Sequence, residues 1–426
     1  MKKSPFFLTL LFAFGLTGFA RCEEAPLTWD ACAKEALAHN PDLQEAAANL
    51  RSAKYGKTGT VSAFLPSLSA SASANRSGDE GSLSAIMKDH DADVSYGMGL
   101  NASINLFNGF KDKASYDAAS LRQQQYEVKY RQARSQLSYT LRNAFTNLLY
   151  AQQQVALMEE IAARQVENVR MVELRYESGH ENKGSLLNNQ AASAQADLEV
   201  TQAKRSLRVA QRTLDRALGR SELDAPLVSG TFKVATVVNE PDFQLLSRTT
   251  FSYLLADLQT RTAQTNVVSA RGSFFPTLNA NGSMSRSGSD WVPNQHSWGA
   301  GLVLSYPLFE GGQRIEALKA AEADRDSSKI ALKAAEQDAA LSLESTYWDL
   351  RNASESTVVQ EKYLEAVKTQ EEVASAQYAN GLLSYQDWDT VENNLTTRQK
   401  SNLQSLRDAK TAEAAWQLAL GKDELN

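Results

Sequence analysis

Two stretches of this chain recur at a fixed distance, and that recurrence sets the size of the unit that has to fold. AFLPSLSASASANRSG at 63–78 matches SFFPTLNANGSMSRSG at 273–288 at 8 of 16 positions, an offset of 210. YGMGLNASINLFNG at 96–109 matches WGAGLVLSYPLFEG at 298–311 at 7 of 14 positions, an offset of 202. The second offset then persists: Tyr176 and Gly179 align with Tyr378 and Gly381, and ALGR at 217–220 with ALGK at 419–422. A repeat this long is a duplicated half-protein, not a short solenoid unit. The 8-residue drop in offset falls between the two alternating segments of a half, where a connection tolerates deletion. Any fold must therefore use each of its elements twice.

Proline placement separates those elements. None occurs from Ser67 to Ala225 or from Leu308 to the C-terminus, and long proline-free tracts rich in Ala, Gln, Leu, Glu, Lys and Arg favour long helices. From 137 to 176, a 4-3 spacing lands on twelve residues from Leu137 to Tyr176, of which only Gln165 is polar. That is a coiled-coil seam. A second seam runs from Leu186 to Ala217, and both return in the second half, from Ala339 to Tyr378 and from Trp388 to Ala419. Glycines punctuate the pattern identically, with 70 residues from Gly109 to Gly179 and from Gly311 to Gly381, then 40 to Gly219 and to Gly421. A 70-residue helix is ~105 Å long, too long for the return helix to flank. A shorter helix over about 42–62, capped by Asn40 with Pro41 in its first turn, stacks end to end with the return helix and covers the rest.

Four segments alternate with period two instead. Leu68, Ala70, Ala72 and Ala74 interleave with Ser67, Ser69, Ser71, Ser73 and Asn75. Met98, Leu100, Ala102, Ile104 and Leu106 interleave with Gly97, Gly99, Asn101, Ser103 and Asn105. Leu278, Ala280 and Met284, then Ala300, Leu302, Leu304, Tyr306 and Leu308, repeat this in the second half. An apolar face opposite a Ser/Asn/Gly face over about ten residues fits a membrane barrel strand with a polar lumen. Tyr96, Phe107, Trp291, Trp298 and Phe309 stand near strand ends, where an interfacial aromatic girdle belongs. Four strands cannot close a barrel, since the smallest have about eight, and open edges in lipid leave backbone groups unpaired. Several chains must share one barrel.

The N-terminus reads as a secretory signal: Lys2 and Lys3, an apolar run from Phe6 to Phe19, and small residues at 18 and 20 that suit cleavage after Ala20. Cys22 raises lipidation as an alternative, but Arg21 stands where a small residue is wanted. Cys22 and Cys32, the two cysteines, read as unpaired thiols or as one disulfide. The net charge of −6 argues against a nucleic-acid partner. Asp89-His90-Asp91-Ala92-Asp93 reads as a solvated acidic loop rather than a cation site. The four histidines are scattered, and no nucleophile–base grouping, phosphate loop or metal motif is present, so neither catalysis nor a cofactor is expected.

ALAHNPDL at 36–43, LP at 65–66, LFNG and LFEG closing two of the alternating segments, YANGLLSYQDW at 378–388 and the terminal ALGK occur in one order along the chain. In this the chain resembles the outer-membrane efflux (TolC-like) family. The resemblance implies a mainly α fold with membrane β: long antiparallel coiled-coil helices form a periplasmic tunnel, and four strands per chain enter a shared 12-stranded barrel of a homotrimer in outer-membrane lipid. It implies a passive gated conduit, fed by an inner-membrane pump through a periplasmic adaptor protein. It also implies that the hairpin tips gate the entrance, with Tyr378, Gly381, Ser384 and Asp387 as the gate and selectivity residues. Three copies of Asp387 would form a carboxylate ring favouring cations, although an acidic residue at a helix start also answers the helix dipole. Tyr176, Gly179, Ser185 and Leu383 fall at the tips, where the adaptor makes contact. Leu383 stands where the family can carry a locking arginine, Thr390 where it often has a second Asp, and Ser185 where the first tip would have its Asp.

The expected organisation is a signal peptide at 1–20 and a first repeat at 21–226, with a hairpin over 63–108 and helices over 110–177 and 184–218. A linker at 227–246, carrying the strand-like TFKVATVV, leads to a second repeat at 247–426 with a hairpin over 273–309 and helices over 312–379 and 384–420. The competing class is a soluble periplasmic coiled-coil scaffold or adaptor, which would leave the four alternating segments without lipid.

Overall fold

The computed structural model describes residues 26–77, 93–221, 225–233, 239–423 and 425. The signal segment, Cys22 and Asp89–Ala92 lie outside the described residues. The first half runs α1 (Trp29–His39), α2 (Pro41–Thr60), a 3-10 turn (Val61–Phe64), β1 (Ser67–Ser77), β2 (Asp93–Phe107), α3 (Lys111–Glu177) and α4 (Lys183–Leu218). After the short α5 (Phe243–Ser247), the second half runs α6 (Phe251–Gly272), β3 (Thr277–Gly288), β4 (Gln295–Ser305), α7 (Gln313–Ala379) and α8 (Tyr385–Ala419).

The rods follow from the seams. In α3, nine of the twelve seam positions from Leu137 to Tyr176 are buried, Gln165 among them, and only Tyr176 is exposed. α3 packs lengthwise on α4, α7 on α8, and α8 lies against α3. At 67 residues each, α3 and α7 are ~100 Å long. The end-to-end stack of α2 on α4 is held by one side chain with two tasks. Asn40, buried, accepts from the Leu43 N–H at 3.1 Å and donates from Nδ2 to the Ala217 carbonyl at 3.0 Å. Gly219 (φ +83°) closes α4 against the His39 backbone so tightly that a Cβ would collide with its carbonyl. The second half lacks Asn-Pro, and Thr250 takes its place by capping α6 through the Tyr253 N–H at 3.4 Å.

The sheet is antiparallel in the order β1-β2-β3-β4. Its register carries the alternation across all four strands. Ala70 faces Leu100, Leu100 faces Met284 and Met284 faces Trp298, forming one apolar row. The next residues over, Ser69, Asn101, Ser283 and Gly299, form a polar row on the other face. Hydroxyls pair across strands there, Ser67 with Ser103 at 2.8 Å and Ser285 with Ser297 at 2.6 Å. On the apolar face, Leu302, Leu304 and Trp298 are 68%, 68% and 83% exposed in the single chain. β1 and β4 each keep an open outer edge. No helix of the described residues is long and apolar enough to cross a membrane.

Two expectations change. Residues 231–233 of the strand-like linker carry no strand, and 234–238 lie outside the described residues. The linker is tied down earlier instead, where Val228 bridges Leu27 in parallel and Gln152 of α3 bonds both its N–H and its carbonyl. The helix expected over 42–62 starts at Pro41 and ends at Thr60, with the 3-10 turn intervening before Leu65-Pro66.

Candidate functional site

Both hairpin tips are turned by the same backbone device. At the α3–α4 tip, Gly179 (φ +77°) follows the C-cap Ser178, and the His180 N–H returns to the Arg175 carbonyl at 2.8 Å. At the α7–α8 tip, Gly381 (φ +75°) follows Asn380, and the Leu382 N–H returns to the Gln377 carbonyl at 2.9 Å. This left-handed glycine satisfies carbonyls left over at the helix end. Each return helix is then capped by a side chain at the same repeat position. Asn182 accepts from the Ser185 N–H at 2.9 Å, and Ser384 accepts from the Asp387 N–H at 3.2 Å.

The side chains around these turns have diverged. Tyr378 is fully buried, stacked on Trp388 with ring centroids 4.5 Å apart and planes within 6°. Its counterpart Tyr176 is 39% exposed and stands outside that stack. Val172, Leu186 and Ala374 complete the buried cluster, with Leu383 packed against it. Trp388 Nε1 donates to Ser375 Oγ at 2.9 Å, and Ser375 donates to Glu371 at 2.6 Å. A buried indole is thus anchored at both its face and its N–H.

The cation nearest Tyr378 comes from the first-half tip. Arg175, the last basic residue of α3, places its guanidinium 4.6 Å over the Tyr378 ring and donates from Nη1 to the Tyr378 carbonyl at 2.8 Å. The Tyr378 hydroxyl donates to Glu181 Oε2 at 3.2 Å. Burial and then the Glu181 carboxylate push the Tyr378 phenol well above its ordinary range, so it stays a donor. Sequence reasoning missed both partners. The repeat offset held the signal, since Arg175 aligns with Gln377 and Glu181 with Leu383: a charge in one copy faces neutrality in the other.

Asp387 is exposed, and its Oδ2 accepts from the Ser384 hydroxyl at 2.7 Å. Its placement serves the helix N-terminus directly, and the groove it lines also contains Leu383, Thr390 and Val391. Ser185, its counterpart, is buried. Tyr385 accepts from Asn188 at 3.0 Å across the two tips, and burial raises the nearby Asp389 carboxyl.

About three turns above the tip, a buried charge cluster joins the two halves. Arg164 of α3 sets Nε 3.2 Å from Glu392 Oε2 of α8 and donates from Nη2 to Thr396 at 3.1 Å and Gln399 at 3.0 Å. Glu392 is 2% exposed and faces Glu371 of α7 as well as Asn168 of α3. Burial first, then the hydrogen bond with Glu371, push its carboxyl up to about 7 despite Arg164. No group of metal-ligating residues occurs among the described residues.

Comparison with known proteins bears on both halves at once. The sequence profile of the outer membrane efflux protein family matches residues 32–220 and 254–422. The probable outer membrane lipoprotein SilC of Salmonella typhimurium is 24% identical over 392 residues, covering 87% of this chain and 80% of that protein. Among solved structures, CusC superposes with a TM-score of 0.81 at 20% identity, covering 91% of each chain. VceC of Vibrio cholerae gives 0.79 at 19% identity, covering 92% of this chain and 95% of its own. The open state of MtrE of Neisseria gonorrhoeae gives 0.80 at 20%, covering 92% and 88%.

Proposed function

Because the chain belongs to the outer membrane efflux protein family, an outer-membrane channel of tripartite efflux, we propose that three copies close one barrel and one helical tunnel through contacts already present inside each chain. Channels of this family work with a periplasmic adaptor and an inner-membrane pump, and the helical tips are the surface we assign to the adaptor. The observation that carries the reading is the sheet: apolar on one face, polar on the other and open at both edges. Such a sheet has no stable solution as a soluble scaffold, because its apolar face and its edges both need partners.

The duplication specifies the missing contact. Inside the chain, β2 pairs with β3, and adding 202 to one side while subtracting 210 from the other converts that pairing into β4 against β1 of the next copy. Ala102 opposite Gly282 becomes Leu304 opposite Ala72 of the partner subunit. Cysteines at Leu304 and Ala72 should therefore give covalent trimers on oxidation in membranes. A one-residue register shift, Leu304→Cys with Ser71→Cys, should give far less product. Oxidation yielding only monomer, with the protein in the soluble fraction, would refute the reading in favour of a periplasmic scaffold.

Tyr378, Gly381, Ser384 and Asp387 form the narrow end of the conduit in this proposal, with the Tyr378–Arg175 contact holding its shape. Tyr176, Gly179, Ser185 and Leu383 flank it on the adaptor-facing side. The chain itself does no chemistry: it supplies a polar lumen, a shaped tip and a docking surface, and the pump supplies the work.

A further inference from the structure

The four strands carry two arginines, and they occupy the same position in each half. ANRSG at 74–78 and MSRSG at 284–288 align at the offset of 210, so Arg76 of β1 and Arg286 of β3 are equivalent. At the tips the two copies differ in charge; here they agree. Both arginines lie on the apolar face. Arg76 continues the alternation of Leu68, Ala70, Ala72 and Ala74, and Arg286 stands in one row with Ala72, Met98 and His296. Both are exposed, and among the described residues neither has an ion pair or a hydrogen bond.

Position along the strand fixes their depth. Each arginine stands nine residues beyond the first residue of its strand, Ser67 or Thr277, where the helical body joins the sheet. Nine residues span ~30 Å, or ~23 Å along the membrane normal at a tilt of ~40°, close to the ~25 Å height of an apolar band. The helical body is periplasmic, so this end of the sheet points to the cell exterior. A charge on the lipid face is costly at mid-bilayer and close to free at the headgroups. The two guanidiniums therefore stand level with the outer headgroups.

The surroundings select the ligand. Arg76 and Arg286 are two strands and four residues apart, a Cα separation of ~16 Å. Tyr96, on the strand between them, lies in the intervening row with Ala74 and Gly288, and Trp291 packs edge-on against it at 5.4 Å. Beside Arg286, the residues Ala70, Ala72, Met98, Leu100 and Met284 line an open apolar groove of about 450 Å³. Guanidiniums hold phosphates in bidentate fashion, aromatic rings with one wet edge suit a sugar, and the groove suits an acyl chain. Asp93 belongs to the polar face and Asp290 to the β3–β4 turn, and neither pairs with an arginine among the described residues. We infer that each chain binds one phosphorylated glycolipid of the outer leaflet here. Its disaccharide lies over Tyr96, its two phosphates meet Arg76 and Arg286, and one acyl chain fills the groove. The inference rests on the reading that the apolar face of the sheet meets lipid.

Native mass spectrometry of the full-length protein, purified in detergent, tests this. It is titrated with bisphosphorylated lipid A, the same glycolipid stripped of phosphate, phosphatidylglycerol, and inorganic phosphate. Lipid A should bind with a Kd at least tenfold below those of the stripped form and of phosphatidylglycerol, and phosphate alone should not bind at millimolar concentration. Arg76→Gln with Arg286→Gln should raise the lipid A Kd at least tenfold and leave the stripped form within twofold. Arg76→Lys with Arg286→Lys should fall between, because lysine keeps the charge and loses the fork. Arg261→Gln, at an exposed site on α6, should leave every affinity unchanged.

Equal affinity for lipid A and its stripped form would overturn the inference alone. So would equal affinity for lipid A and phosphatidylglycerol, which would leave a general anionic-lipid surface, or saturation by inorganic phosphate at millimolar concentration. A double glutamine variant that binds lipid A as the parent does would overturn it as well. Failure of the parent to retain lipid of any kind would instead remove the lipid-facing reading beneath the inference.

Discussion

Glu392 offers a test in which two physical effects predict opposite signs. Its side chain is 3% exposed, 3.2 Å from the Arg164 guanidinium, and in hydrogen-bonding reach of Glu371. If attraction to Arg164 ruled, the carboxyl would sit below the ordinary glutamate value and the charged form would stabilise the fold. Burial and Glu371 outweigh it, raising the group from 4.5 to about 7. A carboxyl raised in the folded state stabilises while it is protonated, so the contribution is complete below about 4.5 and is lost as pH rises through about 7. At ~1.4 kcal/mol per pH unit, that rise corresponds to about 3 kcal/mol per chain.

Glu392→Gln keeps the shape, stays neutral and can still donate to Glu371. It should match the parent near pH 5 and exceed it by up to about 3 kcal/mol near pH 8. Arg164→Met should do the reverse, costing more at pH 8 than at pH 5, because it leaves the carboxylate without its cation. Heat dissociation of the detergent-solubilised trimer, followed from pH 5 to pH 8, measures both. A Glu392→Gln protein that loses more stability at pH 8 than at pH 5 would show that the charged pair with Arg164 dominates, and the reasoning would fail.

Three further outcomes follow from named contacts. Arg175→Ala removes a charged hydrogen bond and a ring contact at Tyr378, together about 2–5 kcal/mol; amide exchange at Gly381 and Leu382 should accelerate at least tenfold, with the rest of α7 unchanged. Gly109→Ala places a methyl group into the Gly272 carbonyl at a φ of +69° and should abolish assembly in membranes, whereas Gly311→Ala, with open space around it in the chain, should cost only the left-handed strain of roughly 1 kcal/mol. Asp387→Asn weakens the Ser384 contact at 2.7 Å and, if three carboxylates ring the entrance, should lower cation over anion permeability in single-channel recordings; unchanged selectivity would leave Asp387 as a helix cap alone.

The rods and strands were legible because each expresses one periodicity over many residues. The seam from Leu137 to Val172 kept its 4-3 spacing and is buried along most of its length, and the strand alternation survived into the register of four paired strands. The end-to-end helix stack could be read from lengths and from Asn40-Pro41, although the second task of Asn40, bonding Ala217, could not. Only the first three residues of TFKVATVV can be compared, and 231–233 carry no strand because β-branched residues fit any half-buried extended segment; the linker is anchored earlier, at Val228, by Leu27 and Gln152. The contact between Arg175 and Tyr378 was hidden for a different reason. Arg175 and Tyr378 are 203 residues apart in sequence, and no local pattern ties a guanidinium at one helix end to a phenol at another.

Comparing the two copies residue by residue separates what the repeat shares from what it has lost. Positive-φ glycines stand at equivalent places, Gly109 with Gly311, Gly179 with Gly381, and Gly219 with Gly421. These fix where rods begin, turn and end in both halves. Charged residues follow no such rule: Arg164, Arg175 and Glu181 align with Ala366, Gln377 and Leu383. A charge kept in only one copy can be satisfied at only one of the places the repeat creates, so a shared backbone carries different side-chain chemistry at its two tips.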